Sequence, residues 1–259
     1  SLGRGATFKE LSKSIVENIM IPLPSLEKQQ EIAKQFVKVN ELICSRKEQM
    51  NKLNLLVKSR FIEMFGDDYP ITTAEEVCTN IVDCPHSTPK YAGDKLVYPA
   101  IRTTDIQNGT LNWTQMRYVD FNEYTERTKR LVPKAGDIVY AREGTYGDCV
   151  VLPSGYQFCL GQRVMLFRPD RNICTSEYLH SVLKSEDVRR QADASNAGST
   201  VAHVNVKDAV KFKFKLPPIE LQKEYADFVK QIDKSKLAVK QSLEKLELLK
   251  KALMQQYFG

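Results

Sequence analysis

The sequence predicts a mixed α/β globular domain carried by two long helices, which pair antiparallel in the manner of a coiled coil. Three observations lead there. The chain repeats itself at a constant spacing of 193 residues. The stretches Leu26 to Phe65 and Ile219 to Phe258 contain neither Pro nor Gly, so nothing in them breaks a helix. Between them, residues 67–215 divide into short apolar runs separated by turn residues, the pattern of many short strands and few helices.

The repeat defines the organisation. Gly5-Ala6-Thr7 matches Gly198-Ser199-Thr200, and Leu23-Pro24-Ser25-Leu26-Glu27 matches Leu216-Pro217-Pro218-Ile219-Glu220. Lys52-Leu53 matches Lys245-Leu246, and Phe65-Gly66 matches Phe258-Gly259. One offset with no gap makes the chain a unit, a long insert and a second copy of the unit. The divisions are 1–24, the tail of a preceding domain; 25–66, a first long helix; 67–217, the inserted domain; and 218–259, a second long helix.

Each copy follows one grammar. An extended stretch comes first, clearest as the alternation Phe212-Lys213-Phe214-Lys215-Leu216. A Leu-Pro step then disfavours helix at the residue before Pro. The helices begin with Ser25 as N-cap and Pro218 in a first turn. Glu27, Glu31, Glu220 and Glu224 sit where the helix dipole favours negative charge. Forty residues at 1.5 Å each reach about 60 Å, too long to bury in a domain of this size. Apolar residues recur at steps of mostly three and four: Ile232, Val239, Leu243, Leu246, Leu249, Leu253 and Tyr257, and in the first copy Met50, Leu53, Leu56 and Met64. This is a heptad-like seam, and two equal helices with one stripe each bury the stripes against each other as a spacer. Arg46 takes the place of Val239 and Arg60 that of Leu253, so the first helix is the less regular.

Within the insert, Thr73 to Val77 reads as a short helix, and Leu96 to Arg102 as a strand. Asn108-Gly109 marks a tight turn. A turn and strand follow at Gly136 to Arg142, then a glycine-punctuated loop from Glu143 to Gly147. Cys149 to Leu152 and Arg163 to Phe167 read as strands, and Ser176 to Arg190 as one helix capped by Thr175 or Ser176.

Bulk properties narrow the function. The net charge is +6, but residues 67–215 hold 19 basic and 19 acidic side chains, so the excess lies on the flanks. Charge therefore permits a nucleic-acid partner without requiring one. No run of eighteen apolar residues suggests a membrane span, and Ser1 to Gly5 is not the start of a signal peptide. The six cysteines form no C-x-x-C pair and read as reduced cytosolic thiols.

Four stretches carry a family resemblance: Tyr98-Pro99-Ala100-Ile101-Arg102-Thr103-Thr104-Asp105-Ile106 through Gly109; Gly136-Asp137-Ile138-Val139-Tyr140-Ala141-Arg142-Glu143-Gly144 through Gly147; Gly198-Ser199-Thr200; and the repeated Leu-Pro-x-x-Glu-x-Gln-x-Glu that opens each long helix. Each is weak alone. In this order, on this repeat, the chain resembles the specificity subunit of type I restriction–modification systems over nearly its whole length. The resemblance implies a target recognition domain at 67–217 that selects one half of a split double-stranded DNA target. It implies helices that set the spacing to the other half and dock methyltransferase (modification) subunits and a restriction subunit. It implies a cytoplasmic, non-catalytic chain that binds no cofactor, with S-adenosylmethionine, ATP and Mg on the partner subunits. The typical member has two recognition domains and this chain has one complete domain. That leaves a fragment, a natural half-sized subunit or a processed product, and half-units restore the two-domain geometry by forming a homodimer.

A DNA reader needs donors and acceptors aimed at base edges, and contacts that hold the phosphates. Arg102, Thr103 and Thr104 follow a predicted strand and are candidates; a solvated turn is the plain alternative. Arg142, Gly144, Tyr146 and Gly147 form the stronger group, because glycines let backbone N–H groups approach phosphate. The alternative is a hairpin with a surface arginine. Arg163 is a third candidate, with Lys90, Tyr91, Ser199 and Thr200 ranked below it.

The sequence has no Asp/Asn-Pro-Pro-aromatic methyltransferase motif, no G-x-x-x-x-G-K-[ST] loop, and no carboxylate cluster with a lysine at nuclease spacing. Two rivals stand. A fragment of a fused modification or nuclease enzyme would cleave DNA or transfer a methyl group by itself. A coiled-coil scaffold would bind all DNA alike, or none.

Overall fold

The structure is a computed structural model that describes residues 12–21, 23–93, 97–144, 147–195 and 203–258. In chain order its first half holds α1 (Lys13–Glu17), α2 (Leu26–Phe65), β1 (Ile71–Thr73), α3 (Ala74–Val77), β2 (Cys78–Asp83), β3 (Tyr98–Ile101), β4 (Ile106–Gln107), β5 (Thr110–Leu111), β6 (Arg117–Val119) and α4 (Phe121–Arg127). Its second half holds β7 (Ile138–Ala141), β8 (Cys149–Val151), β9 (Cys159–Leu160), β10 (Val164–Pro169), α5 (Ser176–Leu183), α6 (Glu186–Ser195), α7 (Val206–Ala209), β11 (Lys213–Lys215) and α8 (Ile219–Phe258). The chain forms two compact units, one from Ser1–Leu53 with Ser235–Gly259, the other from Asn54–Lys234.

In the first unit α2 and α8 run antiparallel. Tyr257 donates its hydroxyl to Gln35 at 3.2 Å, Arg46 donates Nε to Ser242 at 3.1 Å, and Lys47 meets Glu247 at 3.9 Å. As the residue number rises on one helix, it falls on the other. Ile32, Val39 and Ile43 are buried, with Phe36, Arg46 and Met50 half-buried between or beyond them, in steps of four and three. On α8 the same phase runs through Val239, Leu243, Leu246, Lys250 and Leu253. The expected seam is thus corrected at one position of each helix. Leu249 stays 47% exposed because Lys250 holds the heptad phase, its aliphatic stem serving as packing surface. Along α2, inside the other unit, Leu56 is 46% exposed and Val57 faces inward instead.

The repeated glutamine has a structural purpose in both copies. Gln29 donates its amide to the Pro24 carbonyl at 2.8 Å, and Gln222 to the Pro217 carbonyl at 2.9 Å. Each one folds the Leu-Pro turn back onto the first turn of its helix. Gln222 is fully buried and also joins the Ile173 carbonyl and the Thr175 N–H, so the second copy is fastened to the globular unit. Ser25 accepts from the Lys28 N–H at 3.4 Å, the expected N-cap.

The globular unit is built on a four-stranded antiparallel sheet ordered β2-β10-β7-β8. Ile138 and Tyr140 pack into a cluster with Phe65, Phe167, Tyr178 and Tyr225, while Val139 and Ala141 pack on the opposite face with Ile101, Leu152 and Leu166. Strand alternation thus buries both faces. A second sheet, β6-β3-β9, pairs β3 parallel to β9. β1 pairs with β11, which ties the start of the insert to its end. The rings of Phe61, Phe65, Tyr178 and Tyr225 lie 4.8–5.7 Å apart, so the inner turns of both long helices are core of this unit, a feature the division by sequence placed outside it.

Most of the expected short elements are present. Asn108 and Gly109 have φ of 53° and 81° and close the β4–β5 hairpin, the turn their identity predicts. The helix expected from Ser176 to Arg190 is two helices. It stops at Leu183 and restarts at Glu186, where Ser185 accepts from the Val188 N–H at 3.3 Å. A serine side chain competes with the helical backbone and favours a new start.

Candidate functional site

The register of the four-stranded sheet gathers several chain reversals at one edge. Asp83 at the end of β2 lies opposite Met165, and Ala141 at the end of β7 lies opposite Val164. Segments 84–90, 142–144 and 161–163 therefore leave the sheet together. The Val204 N–H donates to the Arg142 carbonyl at 2.9 Å and brings a fourth segment to the same place.

Four arginines at this end have different fates. Arg142 is only 7% exposed. It ion-pairs with Asp83 through Nη1 and donates Nε to the Val204 carbonyl at 2.8 Å. Its fork is committed within the protein, so its position suits a pin between β2, β7 and the segment at Val204 rather than a surface contact. Arg102 is likewise engaged: Nε and Nη2 hold Asp105 at 2.9 and 2.6 Å, and Nη2 reaches the Gln115 carbonyl at 2.6 Å. The hydrogen bonds to Asp105, which is fully buried, raise the Arg102 pKa further.

Arg127 was not a candidate by sequence. It is 5% exposed and donates to the carbonyls of Leu160, Gly161, Ser87 and Pro85, with Glu123 as its charge partner at 3.2 Å. One side chain thereby fixes the 85–87 loop to the end of β9. Gln162 finishes the attachment, donating to the His86 carbonyl and the Thr88 hydroxyl at 3.3 and 3.1 Å. Only Glu123, one helical turn earlier, hints at Arg127 in the sequence; its other acceptors lie 33–42 residues away.

Arg163 differs from all three. Its side chain is 66% exposed and meets Glu143 at 3.0 Å. Its φ is +63°, a left-handed conformation uncommon for a residue with a side chain. The carbonyl of Arg163 receives the Arg142 N–H at 2.8 Å, which holds it there. Two residues earlier, a Cβ on Gly161 would lie 2.5 Å from the Ile101 carbonyl, so only glycine allows the chain to turn this close to β3.

The remaining candidates divide. Thr103 is half-buried and Thr104 exposed on a single helical turn after β3. Gly144 and Gly147 have φ of +70° and +91°, and the space beside Gly144 is open. Tyr146, with Ser199 and Thr200, lies outside the described residues. Lys90 is exposed and Tyr91 carries the Arg117 guanidinium over its ring at 4.9 Å. Among the described residues no group of three or more His, Cys, Asp or Glu could hold a metal, and no helix is long and apolar enough to cross a membrane.

Comparison with known proteins adds an independent line. The family model for the type I restriction modification DNA specificity domain matches residues 1–55 and 67–248. The type I restriction enzyme MjaVIII specificity subunit of Methanocaldococcus jannaschii is 24% identical over 97% of this chain, and the chain spans 64% of that relative's length. Among solved structures, the S subunit of a type I restriction–modification system from M. genitalium superposes with a TM-score of 0.61 at 15% identity, over 100% of this chain and 68% of its own. A chain from a study of complex assembly and conformational transition of the type I R-M system superposes at 0.56 with 21% identity, over 98% and 65%. At these identities the structures speak for the fold.

Proposed function

The chain belongs to the type I restriction modification DNA specificity domain family, and from that membership we propose that it reads the sequence of double-stranded DNA and performs no chemistry itself. The family match over residues 1–55 and 67–248 carries the reading. In it, the globular unit presents the sheet edge at Arg163, Glu143 and the 84–90 loop to one half of a split target. The antiparallel helices dock methyltransferase subunits, which bind S-adenosylmethionine, and a restriction subunit, which uses ATP and Mg. Methylation of a base in duplex DNA requires flipping it out of the stack, and the partner does this. The complex works in the cytoplasm, and a second recognition domain, on a second copy of the chain or elsewhere in the same subunit, reads the other half.

The geometry supports a reader in one respect above others. Arg127, Gln162 and Gly161 hold exposed loops on a rigid sheet, and a preorganised set of donors is what base recognition needs. The test is selection of bound duplexes from a random DNA pool at fixed salt, with the chain alone and with the methyltransferase subunit it is proposed to join. A single enriched motif is expected. Enrichment of none in either condition leaves a scaffold, and metal-dependent cleavage or methyl transfer by the chain alone leaves an enzyme.

A further inference from the structure

Resting on that reader function, we propose that Arg163 and Glu143 act as one unit that recognises a G·C base pair, Arg163 contacting the guanine and Glu143 positioning it. The two side chains meet at 3.0 Å through Arg163 Nε. This leaves the outer edge of the guanidinium, with both terminal nitrogens, making no hydrogen bond to any other described residue. A planar fork held from behind and 66% exposed in front is the donor pair that matches guanine O6 and N7 in the major groove.

The backbone supports the same assignment. Arg163 occupies a left-handed conformation, clamped by the Arg142 N–H on its carbonyl and by the β10 pairing that starts at the next residue. Glu143 is placed by its bridge to His203 across the same edge. The neighbouring arginines cannot serve, because Arg127 and Arg142 are buried with their donors engaged. Backbone strain held in place by surrounding contacts gathers at functional sites.

The carboxylate decides between base and phosphate. A phosphate placed on Arg163 would approach the negative charge of Glu143, which repels it. A G·C pair presents two uncharged acceptors on guanine, which the arginine fork meets without bringing a second negative charge up to Glu143. Charge complementarity therefore favours a base pair at this edge.

Pool selection and binding titrations with the full chain test this, using Arg163→Gly, which relieves the left-handed strain as it removes the side chain, and Glu143→Ala. Thermal unfolding confirms that both variants remain folded. The parent motif should contain a guanine preferred about 5- to 150-fold over other bases, the range for a bidentate contact. Arg163→Gly should erase that preference and leave the other positions intact. Glu143→Ala should weaken the preference at the same position and raise affinity for unrelated DNA. If Arg163→Gly weakens all sequences alike and lowers the salt slope by about 1, Arg163 holds a phosphate and the proposal is overturned. An unchanged motif overturns it as well, while the reader function survives. A parent that selects no motif removes the reader function itself.

Discussion

The globular unit and the helical unit place arginine in opposite settings. Arg127 and Arg142 in the globular unit are 5% and 7% exposed, and acceptors from distant segments converge on each guanidinium. Arg46 in the helical unit occupies a seam position that the other copy of the repeat fills with Val239, itself 6% exposed. It meets Ser242 at 3.1 Å and Gln49 at 2.9 Å. In the first setting the charge joins loops that have no other reason to stay together. In the second it replaces apolar packing between helices that already have their backbone hydrogen bonds. The same side chain should therefore stabilise one unit and weaken the other.

The largest effect should come from Arg127→Ala. The substitution strands the carbonyls of Leu160, Gly161, Ser87 and Pro85 and leaves Glu123 without its partner. Breaking a buried pair in this way typically removes about 3–5 kcal/mol. Urea unfolding of the purified chain measures it. A loss below about 1 kcal/mol would mean that the 85–87 loop is held by other means, and the contrast between the units would fail.

Arg142→Met should follow, with a loss of about 3 kcal/mol, because Asp83 is then left partly buried without its cation. Adding Asp83→Asn should restore part of the stability, and the double-mutant cycle isolates the pair. Additive losses would show that the pair contributes nothing beyond its parts. DNA binding should fall only as far as folding does, since the Arg142 fork faces inward.

These two arginines also mark where the sequence stopped being informative. The repeat, both forty-residue helices, the Asn108-Gly109 turn and the strands β3, β7, β8, β10 and β11 follow from local pattern and are present at their places, whereas β1, β2, β6 and β9 are not among the strands the pattern gave. Seam phase was legible to within one residue, failing at Leu56 and Leu249, because the inward positions fall one residue further on, at Val57 and Lys250, and a lysine gives no apolar signal. The site was legible as a region and not as roles. Arg142 and Arg163 each flank a strand, and nothing nearby separates them. What separates them is Asp83, which is 59 residues before Arg142 and reaches it only through the pairing of β2 and β7 with β10. Arg127 gave no signal beyond Glu123 because its other acceptors are backbone carbonyls, which every residue has.

A smaller effect of opposite sign is expected at the seam. Arg46→Val gives the first helix the residue its own repeat carries at 239, and should stabilise the helical unit by about 1 kcal/mol, since replacing a half-buried charge with fitted apolar volume is commonly neutral or favourable. Melting of the chain followed at 222 nm would report it as a higher midpoint. A lower midpoint would show that the Ser242 and Gln49 contacts outweigh the packing, and arginine would then stabilise both units.

The smallest effect is chemical, and it compares the units through their thiols. Cys44 lies exposed on α2 in the helical unit, whereas Cys84, Cys149, Cys159 and Cys174 are buried and Cys78 is half-buried in the globular unit. Burial pushes the thiols of Cys78, Cys149 and Cys159 up to about 12, and those of Cys84 and Cys174 upward as well. The thiolate is the reactive form, so at pH 8 these five are both covered and protonated. An aromatic disulfide reagent should label one thiol of six quickly, and the other five only as the globular unit opens. Cys84 immediately precedes the loop that Arg127 secures, so Arg127→Ala should make it the second thiol to react, ahead of Cys149 on β8. Two fast thiols in the parent, or no change in order in the variant, would show that Arg127 does not control the opening of the loop. The buried arginine would then contribute stability to the unit without governing the motion of the surface proposed to read DNA.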